Sequence, residues 1–252
     1  MCIRDSTNAI DYNPKLDQIV VSSPALDEIL IIDHNTTTAE AAGHNGGRWK
    51  KGGDILYRWG NPKNYGRGDS SNHAIGGQHD VKWISKGMPG EGNLMVFNNN
   101  VPNTKKPRSA VYEWTAPMTE MGYAISDGGH YGPENPLWQF VAADTMAAFS
   151  PFISGAHRMA NGNTFVTVGA KGRYIEVTPE GKIVWDYWTP YAGYVRMKDG
   201  TTPQPVGPLS YATFRATHIP IDHPSVKGKE LKPLSPQPDV FVLPTQEEEK
   251  KK

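Results

Sequence analysis

The sequence predicts an all-β fold, a β-propeller of four-stranded blades, and three observations predict it. Gly (26) and Pro (21) are plentiful in a chain with no low-complexity tract, so turns are frequent and the segments between them short. Those segments are rich in β-branched and aromatic residues, which suit a pleated, half-buried surface. They also recur as a unit: four strand-like runs, the last carrying a Trp, come three times in the same order. A β-sandwich is the alternative, but sandwich sequences rarely repeat a whole four-strand register.

The first unit takes its strands from 7–12, 16–21, 28–33 and 54–59, the second from 79–84, 92–97, 109–114 and 136–140. The third uses 156–159, 162–166, 173–177 and 181–187. Gln18, Asn93 and Asn163 mark equivalent positions, and the variation in spacing falls in loops. The clearest single hairpin is Val177-Thr178-Pro179-Glu180-Gly181-Lys182, with Pro and Gly at turn positions. Trp59, Trp138 and Trp185 are expected to pack between blades. The blades are predicted at about 7–62, 76–142 and 153–190, with an extra strand near 211–219 and a solvated, Pro-rich and charged tail over 233–252.

Composition excludes some functions. Lys plus Arg number 26 and Asp plus Glu number 26, so there is no basic excess to neutralise phosphates, and no nucleic acid is expected as a partner. No run approaches the ~20 apolar residues of a membrane helix, so no membrane partner is expected either. Met1-Cys2-Ile3-Arg4-Asp5 reads as a translated sequencing adaptor, and residues 1–6 are set aside. Cys2, the sole cysteine, goes with them, leaving no disulfide, thiol nucleophile or cysteine metal site. The natural segment is then expected to begin inside a longer protein.

Two insertions, 34–53 and 115–135, are long for connections in a compact domain. His44 and His130 lie in them and are expected to be solvated. The innermost strand of a propeller blade lines the central channel. Those strands present Asn8, His79 with Asp80, and His157 with Arg158. Two histidines at matched repeat positions favour a shared function over two independent structural roles. Without a third ligand at suitable spacing they do not make a zinc site, and neither a metal nor another cofactor is expected.

Several stretches resemble bacterial arylsulfotransferases. They are Gly53-Asp54-Ile55-Leu56-Tyr57-Arg58-Trp59-Gly60-Asn61-Pro62, Gly77-Gln78-His79-Asp80, and Gly90-Glu91-Gly92-Asn93-Leu94-Met95-Val96-Phe97-Asn98-Asn99. Ser154-Gly155-Ala156-His157-Arg158-Met159-Ala160-Asn161-Gly162-Asn163-Thr164 and Ala9-Ile10-Asp11-Tyr12-Asn13 belong to the same pattern. The resemblance covers roughly 7–232. It implies transfer of a sulfuryl group from a phenolic sulfate ester to a phenol without a nucleotide sulfate donor, through a sulfated histidine. His157 matches the nucleophile, His79 a second active-site histidine, and Arg108 the active-site arginine. Asn8, Asp80, Asn98 and Arg158 are the expected substrate contacts. Ser6 and Val81 stand where the family pattern has a further His and an Asn. The implied partners are an aryl sulfate and a phenol, the implied location periplasmic or secreted, and a homodimer is open as the assembly. Two other readings stay open: a non-catalytic ligand- or partner-binding propeller, and a quinoprotein-like oxidoreductase suggested by Gly181-Lys182-Ile183-Val184-Trp185.

Overall fold

A computed structural model describes residues 7–189 and 211–233. The adaptor-like residues 1–6 and the tail beyond 233 lie outside the described residues. The three expected units are three four-stranded antiparallel sheets, each with its strands in chain order. The first contains β1 (Ala9–Asn13), β2 (Gln18–Ser23), β3 (Glu28–Asp33) and β4 (Ile55–Trp59). The second contains β5 (His79–Trp83), β6 (Leu94–Asn98), β7 (Ala110–Trp114) and β10 (Trp138–Phe140). The third contains β11 (Gly155–Arg158), β12 (Thr164–Val168), β13 (Arg173–Val177) and β14 (Ile183–Trp188). The small hairpin of β8 (Met118–Thr119) and β9 (Gly122–Tyr123) sits inside the second insertion, and the first holds one turn of helix, α1 (Thr38–Ala41).

Alternation explains how the sheets stack, because successive side chains leave a strand on opposite faces. Val20, Ile29, Ile31, Tyr57 and Trp59 of the first sheet meet Val81, Leu94, Val96 and Trp114 of the second in one buried core. The other face of the second sheet, with Met95, Phe97, Val111 and Phe140, meets Ala156, Val166, Ile175 and Val177 of the third. Trp59 stacks on Trp114 with ring centroids 4.3 Å apart, as expected of a blade-packing residue. Trp138 is half-buried and donates to the Pro179 carbonyl. Trp185 instead lies on the uncovered face of the third sheet.

Polar links tie neighbouring blades together. Gln78 is fully buried and its amide donates to Ser22 Oγ and to the carbonyls of Ser23 and Glu28, so the loop before β5 is held to the first sheet. The second insertion also docks rather than dangling in solvent. Tyr57 and Trp59 donate to the carbonyls of Gly132 and Pro133, and Tyr123 donates to Gln18 Oε1. His130 is mostly covered and pairs with Glu134 at 2.6 Å, against the expectation of a solvated residue, whereas His44 is exposed beside Asp54.

The segment expected to be an extra strand near 211–219 forms no strand. It is an extended strap whose backbone makes scattered hydrogen bonds, among them Thr213 N–H to Gly169 O and Ser154 N–H to Phe214 O. Its β-like composition serves packing across the blades instead of pairing with a sheet edge.

Candidate functional site

The N-terminal ends of β1, β5 and β11 and the strap converge on one cluster. A bulge in β5 begins it. Register with β6 shifts between His79 and Lys82, and Asp80 takes a left-handed backbone, φ 61°. This is uncommon for a residue with a Cβ, and bulges of this kind re-aim side chains near functional sites. Here the bulge turns the Asp80 carboxylate inward, where it is almost wholly buried. One oxygen meets Lys82 Nζ at 2.8 Å and the other Arg215 Nη1 at 3.0 Å. Gly155 completes the fit: a Cβ there would stand 2.1 Å from Asp80 Oδ2, so any larger residue would displace the Asp80 side chain.

His157 follows two residues later on β11. Its ring packs on Phe165, centroids 5.2 Å apart, and Nε2 accepts a long hydrogen bond, 3.3 Å, from the His218 backbone N–H. An Nε2 that accepts must carry the lone pair, which places the proton of the neutral ring on Nδ1. Burial first, then the Lys82 ammonium and His218, push the imidazole down to about 4. The ring is therefore neutral at pH 7.

His79 is placed differently. Its Nδ1 lies 2.9 Å from both Gly77 O and Asn99 Oδ1, so it donates, while Nε2 accepts from Ile153 N–H at 3.2 Å. Burial lowers its pKa as well. Both nitrogens are engaged, and the ring is a strut between the second sheet and the loop entering β11. The two histidines are joined through the strap: His79 lies against Phe214, and His157 against His218.

The remaining expected residues separate into two groups. Asn8 reaches the cluster, donating to Gln78 O at 2.7 Å and accepting from Arg215 on its own carbonyl; its Oδ1 is buried without a partner among the described residues. Asn98 does not reach it. It clamps a loop, accepting from Gly76 N–H and donating to Ala74 O. Arg158 sits next to His157 in sequence, so it leaves the strand on the opposite face. There it pairs with Glu113 of the second sheet and stacks over Trp138, deep between blades. Arg108 neighbours Tyr112, and no contact joins it to either histidine among the described residues. The cations at the cluster are Lys82 and Arg215, which the sequence reading did not single out. One signal for Lys82 was present: a charged residue two positions after Asp80 in the mostly buried run His79–Trp83.

Elsewhere, an open cavity of about 690 Å³ lies at the opposite ends of β1 and β5, lined by Asp11, Tyr12, Lys15, Trp83, Lys86 and Glu91 among others. No group of three or more His, Cys, Asp or Glu among the described residues could hold a metal ion. No described helix is long and apolar enough to cross a membrane.

Comparison with known proteins completes the description. The family model "Arylsulfotransferase (ASST)" matches residues 7–187. No curated protein matches the chain. Among solved structures, a protein of unknown function from Bacteroides caccae is 12% identical with a TM-score of 0.40, aligned over 78% of this chain and 52% of its own. A streptogramin B lyase is 12% identical with a TM-score of 0.35, aligned over 80% of this chain and 63% of its own. The chain thus spans between half and two thirds of the length of these two structures.

Proposed function

Because the chain belongs to the arylsulfotransferase family, we propose that it transfers a sulfuryl group from a phenolic sulfate ester to a phenol, with His157 as covalent carrier. The observation that carries this reading is a neutral, half-buried imidazole where β1, β5, β11 and the strap meet, with its lone pair on Nε2. A neutral imidazole is a competent nucleophile, whereas a protonated one is not. Nε2 attacks sulfur, the bond from sulfur to the aryl oxygen breaks, and the electron pair leaves on the phenolate. The acceptor oxygen then attacks the same sulfur, its proton passes through solvent to the departed phenolate, and the N–S bond returns its electrons to the ring.

The weak amide contact at Nε2 yields to the incoming sulfur. His79, with both nitrogens engaged, acts by holding Ile153 and the entry to β11 rather than by moving a proton. The family also favours a periplasmic or secreted setting.

The His218 amide over Nε2 favours one rival, a binding propeller whose imidazole is never sulfated. Peptide mass spectrometry after brief exposure to 4-nitrophenyl sulfate separates the two. We expect a sulfate on His157, and both label and turnover lost in His157→Asn, a drop beyond the ~10²–10³-fold typical of losing one oxyanion donor. Label on His79, or turnover that survives without His157, overturns the assignment.

A further inference from the structure

We propose that Lys82 and Arg215, gathered on the single carboxylate of Asp80, form the seat for the sulfuryl oxygens of the aryl sulfate, with Asp80 as the residue that positions them. The proposal rests on the sulfuryl-transfer reading of His157 and adds to it the groups that hold the substrate's charge.

Charge comes first. Two cations share one anion, so the trio carries one positive charge in excess beside two histidines that stay neutral. Exposure is graded in a way that suits a ligand. The Asp80 side chain is 4% exposed, while those of Lys82 and Arg215 are 29% and 38% exposed. The acid is thus internal and the two donors face outward. Lys82 Nζ meets Asp80 Oδ2 as an ion pair, and an ammonium carries three donors, more than one carboxylate oxygen engages. Arg215 spends one group on the Asn8 carbonyl and one on Asp80, and packs its plane on Phe214. Such planar, always-charged groups recognise tetrahedral oxyanions through paired hydrogen bonds.

Placement comes next. Asp80 Oδ2, which holds Lys82, also faces Gly155, two residues before His157 on β11. Arg215 lies on the strap three residues before His218, whose amide touches His157 Nε2. Both cations are therefore fixed to the two segments that flank the imidazole. The left-handed backbone of Asp80 and the glycine opposite it are demanding local requirements. A surface ion pair needs neither.

The test uses the full chain and inorganic sulfate as probe, read on the His157 ring by ¹H–¹⁵N NMR. Sulfate is expected to shift the ring signals, and Lys82→Met or Arg215→Gln to weaken binding about 10-fold or more, with Lys82→Arg restoring most of it. Asp80→Asn is expected to raise KM for 4-nitrophenyl sulfate more than it lowers kcat. Unchanged sulfate affinity in both cation variants overturns the proposal. Should the variants fail to fold, selenate soaked into crystals of the unaltered protein decides: anomalous density within contact of Lys82 Nζ and Arg215 supports the seat, and its absence there overturns it. Sulfate binding that depends on both cations without any sulfated histidine sinks the transfer reading and leaves the seat intact.

Discussion

His157 shows how one environment sets both chemistry and stability. Its folded pKa, about 4, lies below the ordinary imidazole value of 6.5, so the unfolded chain binds the proton more readily than the native protein. The sign is then fixed. The contribution to stability is complete above about pH 6.5, falls as pH drops toward 4, and is gone below it. His79, also lowered by burial, adds in the same direction. Urea midpoints measured from pH 7 to pH 4 are therefore expected to fall, and His157→Gln to flatten part of that slope. A profile identical in the variant counts against the burial of this ring. Much of this residue was legible beforehand, because its motif and repeat position stand in the sequence. Arg158 was not, since adjacency in a strand means opposite faces. Its partner Glu113 is distant in the chain and invisible without the fold.

At the scale of the element, that pair is a buried ion pair between the second and third blades. Both side chains are nearly covered, 6% and 7% exposed, and Asn93 and Gly162 satisfy further atoms. Breaking one side of a buried pair leaves a charge stranded in a poor dielectric. Glu113→Gln is expected to cost about 3–5 kcal/mol, while Glu113→Leu with Arg158→Met costs far less or nothing. Chemical denaturation of the single and double variants measures both, and equal losses in the two contradict the argument. The strands themselves were read well. β-branched runs bounded by Asn, Asp, Gly and Pro mark real turns, such as Pro179-Glu180-Gly181, where Gly181 takes φ 83° and Thr178 and Lys182 close the hairpin. The strap was misread because Thr213, Phe214 and Ala216 have strand-like composition, and composition cannot say whether a partner edge is available. Lys82 and Arg215 escaped notice for the related reason that a bulge and a non-paired segment, neither of them periodic, aim them.

At the scale of the whole molecule, the described residues stack three four-stranded sheets around two cores, leaving two outer faces. On the outer face of the first sheet Ile10 is 71% exposed, and on that of the third Trp185 and Tyr187 are 45% and 39% exposed. Trp185 and Tyr187 stack on each other, ring centroids 5.7 Å apart, and Val184 and Trp188 of the same strand are exposed as well. Contiguous apolar surface of this kind drives association in water. The chain alone is expected to self-associate as concentration rises in sedimentation velocity, and Ile10→Lys with Trp185→Lys to suppress it. A single monomeric boundary at every concentration, from a cooperatively folding chain, contradicts that expectation.

The strap has a consequence in time. Within each sheet the hydrogen bonds join neighbours close along the chain, as where Asn13 faces Gln18 across one turn. Arg215 reaches the carbonyl of Asn8 across 207 residues. Contacts of low sequence separation form early, and those that close long loops must wait until the intervening chain has been ordered. The blades can therefore assemble one after another as they are made, each on local information. The cluster around His157 cannot exist until the last described segment arrives and is laid across all three. Assembly of the site is thus expected to be the closing event of folding, and its undoing the first local opening; amide exchange at Thr213 and Ala216 no faster than in the sheets would contradict this.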